Sequence, residues 1–289
     1  MSGFSEVKNR IKSVGETQKI TNALYLISSA KVRKARSDLE RTMPYFNAIR
    51  HEVKEVFKTI KRFDSVYFYP ENDHMSDADY GYLVITGDKG MAGAYNNNVI
   101  KSVEKEISNH KNSTLYVIGD LGREYFKAHG YNVDEDFKYN AYRPTLAVAR
   151  KITQRLLDDY RKDKIYKLFI VYTDVVGINA GVKSVRVLPF HSSEFVSEEE
   201  KGSAEYEFEP SAEKVLDSIV PSYVTGFVYS AMVDSFCAEQ TSRLSAMKSA
   251  DDNARTMIEE LKSEYNHARQ EAITTEIIEV ASGARFRKK

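Results

Sequence analysis

One stretch of the chain invites a nucleotide reading. Thr86-Gly87-Asp88-Lys89-Gly90-Met91-Ala92-Gly93 follows a short apolar run and precedes a helical pattern, the setting in which a helix N-terminus holds phosphate. The spacing argues against it. Gly87, Gly90 and Gly93 stand three apart, which is neither GxGxxG nor GxxxxGK[ST], so the loop reads as a tight strand-to-helix turn that needs backbone freedom. The six histidines (His51, His74, His110, His129, His191, His267) form no HxxxH or HExxH pair and read as surface residues. No GxSxG elbow is present. Cys237 has no histidine near it in sequence and reads as a small residue on an apolar helix face. Glu198 to Glu200 reads as a solvated acidic loop. The basic run Lys31, Arg33, Lys34, Arg36 is open between two readings, a solvated helix face or a row that meets acidic groups of a surrounding partner. Arg269 and Gln270 pose the same choice, since their several donors suit fixed carboxylate or backbone partners.

Composition narrows the classes. The chain has 289 residues, 42% hydrophobic and 29% charged, enough for a core and for much solvated surface. Lysine plus arginine and aspartate plus glutamate are 42 each, so no global basic field argues for nucleic acid. A single cysteine excludes an internal disulfide and a thiolate metal cluster. The opening MSGFSEVKNR has no apolar signal core and no run is long enough to cross a bilayer, so the expectation is a soluble, intracellular chain that meets a membrane only through a partner.

The elements that would position these residues are two long helices and a small α/β region. From Ser222 to Ser282, apolar residues recur at threes and fours (Tyr223, Phe227, Cys237, Leu244, Met247, Leu261), and Pro221 stands where a first helical turn tolerates it. Some 60 residues at about 1.5 Å each make a helix of roughly 90 Å, too long for a domain interior, so the helix must project and something must cover its stripe. At the other end Val7, Ile11, Val14, Gln18, Thr21, Tyr25, Ser28 and onward to Val56 and Ile60 keep a heptad without a slip. Its seam is polar at Gln18, Thr21, Ser28 and Thr42, and a second apolar row, Ile20, Leu24 and Ile27, lies beside it. That combination suits a helix contacted on several sides. Pro44 predicts a kink or break near Tyr45.

Residues 64 to 79 are turn-rich and acidic, a connection. Then strand and helix patterns alternate: YGYLVIT from Tyr80, a helix from Val99, Thr114 to Gly119, a helix from Leu121 to His129, another from Leu146 to Tyr160, and Lys167 to Asp174. A turn at Asn179 to Gly181 leads to a fourth strand, VKSVRVLPF, expected antiparallel at an edge. An acidic linker ends at Pro210, and Ser211 to Val220 reads as a short helix. The predicted organisation is an N-terminal coiled-coil helix over 1–63, a central Rossmann-like α/β domain with its linker over 64–210, and a C-terminal coiled-coil helix over 211–289. The long helices would pair antiparallel.

Three segments are specific enough to carry a resemblance. VKNRIKSVGETQKITNALYLISSAKVRKAR, ITGDKGMAGAYNNNVI and AEQTSRLSAMKSADDNARTMIEELKSEYNHARQEAITTEIIEVASGA resemble, in order, the gamma subunit of rotary F-type ATP synthases. The resemblance implies a non-catalytic central rotor stalk without cofactor or metal of its own, turning inside a ring of alpha and beta subunits. Its α/β foot would rest on the membrane-embedded c-subunit ring and bind the epsilon subunit. Ion flow would turn the shaft, which drives each beta subunit through its nucleotide states. Carried over by residue, Gln18, Lys19, Ile20 and Thr21 match the motif inside the ring. Lys31 and Arg33 match basic positions facing an acidic lever of a beta subunit. Arg269 and Gln270 match a segment bonded to a beta-subunit loop, and Ile273, Ile277 and Val280 match the apolar tip that turns within a collar. The implied location is peripheral, on the cytoplasmic face of a bacterial membrane, and the missing presequence favours that over a mitochondrial precursor. There are departures: Ser28 and Ser29 stand where the family is alanine-rich, Leu24 replaces a methionine, and the end continues as Arg285, Phe286, Arg287, Lys288, Lys289, which implies a protruding tail or acidic partners. Two other readings are a free-standing coiled-coil scaffold, which calls for stronger leucine seams, and a nucleotide-binding enzyme on the Gly87 to Gly93 loop, which tight ATP binding would revive.

Overall fold

A computed structural model describes residues 2–59, 66–68, 79–108, 110, 112–174, 181–191, 195, 207–209 and 211–286. Among the described residues nine elements follow in order: α1 (Ser2–Thr59), β1 (Tyr80–Ile85), α2 (Tyr95–Ile107), β2 (Ser113–Ile118), α3 (Asp120–Ala128), α4 (Leu146–Arg161), β3 (Lys167–Asp174), β4 (Gly181–Leu188) and α5 (Ala212–Phe286). The expected Ile60, the acidic run Glu198 to Glu200, His74, most of the 64–79 connection and the last three residues lie outside the described residues. The chain divides into two compact units, Met1–Ser29 with Arg243–Lys289, and Ala30–Ser242.

In the second unit the sheet has the order β2-β1-β3-β4. β1 pairs in parallel with β2 and β3, and β4 pairs antiparallel with β3 at the edge. All six residues of β1 are buried, as a strand covered on both faces requires. Its side chains alternate between two cores. Leu83 and Ile85 join Ile152 and Leu156 of α4 together with residues of α1 and α5, whereas Tyr82 and Val84 join Val99 and Val103 of α2 and Phe126 of α3. α2 begins at Tyr95, four residues before the expected start, because Asn96 to Asn98 read as turn residues but continue the helix.

Neither proline stops its helix. Pro44 lies inside α1 and Pro221 inside α5. Pro44 is exposed, so the carbonyl it leaves unpaired, that of Glu40, faces solvent. Packing carries the helix past it: the Thr42 hydroxyl donates to the Leu39 carbonyl at 2.9 Å, and Phe46 is buried. Pro221 is bridged likewise. Leu216, Val220 and Val224 are at most 1% exposed, and each such burial is worth about 1.5–3 kcal/mol, comparable with the roughly 3 kcal/mol that a mid-helix proline costs. The expected short helix from Ser211 to Val220 is therefore the first part of α5.

Within this unit the helices run antiparallel. Gly226 sits where a Cβ would come 2.4 Å from the Phe46 ring, and the Ser230 hydroxyl lies 4.0 Å from the Met43 sulfur, so numbers rise along α5 as they fall along α1. In the first unit Val7, Thr21 and Ser28 are buried on α1, and Met247, Ala254 and Leu261 on α5. These positions fall on the predicted stripes. Tyr25 departs, being 39% exposed.

Polar groups tie the α/β layers. Asp159 on α4 is 1% exposed; its Oδ2 accepts the Tyr116 hydroxyl at 3.1 Å and pairs with Arg155 Nε at 3.3 Å. Burial, with Asp159 next, raises the Tyr116 hydroxyl's pKa, so it stays a donor. The described part of the 64–79 connection is pinned too: Tyr160 donates to the Val66 carbonyl at 2.8 Å and Tyr67 stacks on Tyr160.

Candidate functional site

The glycine loop spends its polar groups on the fold. The Gly87 amide donates to Asn96 Oδ1 at 2.8 Å, and the Gly87 carbonyl accepts from the Leu121 amide at 3.3 Å. Asp88 receives the Ala141 amide on both carboxylate oxygens at 3.0 Å and the Asp120 amide at 3.3 Å, taking up donors that a phosphate would want. Gly93 has φ +54°, and a Cβ there would meet the Ser242 hydroxyl at 3.0 Å. That hydroxyl donates to the Ala92 carbonyl at 2.6 Å. The loop is thus a fastening between β1, the start of α3 and α5.

The C-terminal end of β3 gathers the strongest electrostatics. Asp174 pairs with Lys183 of β4. Close by, Asp234 of α5 has its pKa raised to about 6, first by burial and then by the charge of Asp174, with Arg36 and Lys183 opposing. Burial also raises the Cys237 thiol, against a hydrogen bond from Arg36, so this cysteine is a poor nucleophile. Such a shift marks an active site or an ionic network. Among the described residues no group of three or more metal-ligating side chains occurs. The network reading makes a prediction. A carboxylate whose folded pKa exceeds its unfolded value stabilises the fold below about pH 4 and loses that contribution as pH rises to about 6. Asp234→Asn is therefore expected to match the parent near pH 4 and to exceed it by roughly 1–3 kcal/mol above pH 7. Thermal unfolding across pH 4–8 checks this; an unchanged difference at both ends would contradict it.

His110 is not a plain surface histidine: its ring stacks 4.0 Å from Tyr80 and its Nδ1 lies 2.9 Å from the Tyr82 hydroxyl.

The residues singled out for partner contact fall in both units. In the first unit Gln18 is half-buried and its carbonyl accepts the Thr21 hydroxyl at 2.8 Å. Thr21 is buried on the seam, Lys19 is exposed, and Ile20 is 61% exposed. Arg269 and Gln270 are exposed, and the Gln270 carbonyl accepts the Thr274 hydroxyl at 2.8 Å. Ile273, Ile277 and Val280, at one-face spacing, are 48%, 62% and 69% exposed. Ile278, which sequence reasoning missed, is bare as well; its place beside Ile277 was the available signal, since neighbours on a helix cannot share one stripe. In the second unit Arg33 is exposed, and the Lys31 ammonium lies 4.5 Å over the Tyr142 ring. Tyr142 and Arg143 were also missed, because they come from an irregular loop with no periodicity.

Helices from both chain ends, a sheet whose glycine loop fastens rather than cradles, and bare apolar rows on helices define a class of protein completed by other chains. Comparison with known proteins agrees. The family model described as ATP synthase matches residues 3–285. The ATP synthase gamma chain of Caldanaerobacter subterraneus subsp. tengcongensis is 40% identical, with 98% of this chain and 99% of that protein covered. The sodium ion specific gamma chain of Acetobacterium woodii is 32% identical over 96% and 97%. The rotor of the Euglena gracilis mitochondrial ATP synthase has a similar fold, with a TM-score of 0.64, 14% identity, and 94% and 99% of the two chains covered. The chain belongs to the ATP synthase gamma-chain family.

Proposed function

We propose that this chain is the central rotor stalk subunit of an F-type ATP synthase, coupling ion flow through a membrane ring to ATP synthesis or hydrolysis on beta subunits. The observation that carries this is the uncovered end of α5: every residue from Arg269 to Ala281 is exposed, four of them large and apolar. An isolated helix with such a face is marginal in water and calls for a surrounding partner. Family membership supplies the partner's nature. Alpha and beta subunits would enclose the paired helices, and the α/β region would bind the epsilon subunit and the c ring. The segments 1–63, 64–210 and 211–289 would then serve as shaft, foot and shaft. No described helix is long and apolar enough to cross a membrane, consistent with a peripheral place on the cytoplasmic face of a bacterial membrane. The chain itself would be non-catalytic. Its mixed faces (Ile20 and Ile27 bare, Lys31 and Arg33 charged) would touch the beta subunits unequally, and unequal contact is what lets a partner shift a conformational equilibrium.

The test is ATP hydrolysis by co-expressed alpha and beta subunits with and without this chain, together with the mass of the product. A complex of three alpha, three beta and one copy of the chain, with turnover that depends on it, is expected. A chain that stays alone and leaves hydrolysis unchanged overturns the proposal. Charge reversal at Lys31, Arg33 and Arg269 is expected to lower turnover or assembly by roughly fivefold per contact, the effect of about 1 kcal/mol.

A further inference from the structure

Two charged segments that are far apart in sequence meet around a cleft of about 280 Å³ in the Ala30–Ser242 unit. Lys31 and Lys34 enter it from α1, and Tyr142, Arg143 and Thr145 from the loop that leads into α4; Asp38 supplies the one carboxylate. Among the described residues, Lys31, Lys34 and Arg143 take part in no ion pair, so three cations face a shared concavity against a single acid. Like charges gathered this way repel one another, and a bound anion removes that cost. The Lys31 ammonium is held 4.5 Å over the Tyr142 ring, which fixes one cation at the rim. Arg143 brings the planar fork that matches phosphate oxygens. Thr145 caps α4, its hydroxyl accepting the Val148 amide at 3.3 Å, so the first turn of a 16-residue helix adds its positive end to the same field.

We infer that this cleft binds a phosphate-bearing anion of inorganic diphosphate size. Three cations against one carboxylate leave a net charge of about +2 around the cleft, which a small polyphosphate anion such as inorganic diphosphate neutralises. The cleft shares Lys31 with the proposed beta-subunit contact but is tested apart from it, through Lys34 and Arg143 on the isolated full chain with no ring subunit present.

The experiment is calorimetric titration of the purified full chain with inorganic pyrophosphate, with sulfate as a second anion. One-site binding is expected, weakened roughly tenfold by Lys34→Gln and again by Arg143→Gln. Lys151→Gln, which removes an exposed cation of α4 outside the cleft, is expected to leave it unchanged. Circular dichroism confirms that these surface variants fold. Absence of binding overturns the inference. Equal weakening by Lys151→Gln overturns it too, since that is the behaviour of diffuse surface charge.

Discussion

Gly119→Ala is expected to destabilise the α/β unit by about 3 kcal/mol or more, because Gly119 alone among the described glycines combines a positive φ with a backbone clash under 3 Å. Two costs add. Gly119 has φ 97° and ψ 135°, a region that side-chain-bearing residues essentially never occupy. A Cβ there would also lie 2.4 Å from the Thr86 carbonyl oxygen, which is backbone and cannot swing aside. Thr86 cannot yield, because its amide donates to the Ile118 carbonyl at 2.9 Å and its hydroxyl accepts the Gly122 amide at 3.2 Å. Gly130→Ala separates the two costs. Gly130 has φ 77° but nothing within 4 Å of a built Cβ, so only the conformational part, about 1–2 kcal/mol, is expected. Urea unfolding of both variants decides the matter; equal losses would show that the contact with Thr86 is relieved by backbone adjustment.

The second large effect is at Asp159. Asp159→Ala is expected to cost about 2–4 kcal/mol, since hydrogen bonds to a charged group contribute roughly 1.5–3 kcal/mol and the Tyr116 hydroxyl is then buried without an acceptor. The basic partners soften the loss. Arg155 keeps Asp134 at 3.0 Å, and Lys164 is more than half exposed, so neither cation is stranded. Asp159→Asn keeps an acceptor for Tyr116 and is expected to lose about half as much. A thermal shift for Asp159→Ala no larger than for Asp159→Asn would mean that Tyr116 finds another acceptor.

The elements of the α/β region were legible because its strands obey simple rules. β3 starts and ends where the apolar run Lys167 to Asp174 does, and β4 lies antiparallel at the edge as its place last among the strands led one to expect. The heptad on α1 was legible for the same kind of reason: Val7, Thr21, Ser28, Ala35, Phe46, Val53 and Val56, all called for the seam, are all buried. Pro221 was misread as a first-turn proline, and Pro44 does not break α1, because local propensity speaks only of the lost amide. Whether that loss breaks a helix depends on side chains packed on both sides of it, which come from the far end of the chain. The cleft by Lys31 was half legible. Its lysines stood out as a basic run, but Tyr142 and Arg143 reach them only through the fold.

The pairing of α1 with α5 has a consequence for synthesis. Met43 meets Ser230 across 187 residues of sequence. A ribosome adding about 5–20 residues per second leaves α1 exposed for roughly ten to forty seconds before its partner emerges. The intervening strands β1, β2 and β3, which pair in parallel, are all synthesised before α5 emerges. α1 therefore leaves the ribosome as an apolar stripe in waiting, one that a chaperone or an already folded partner can hold. The polar seam residues Gln18, Thr21, Ser28 and Thr42 make that stripe less adhesive during the interval than a leucine seam would be.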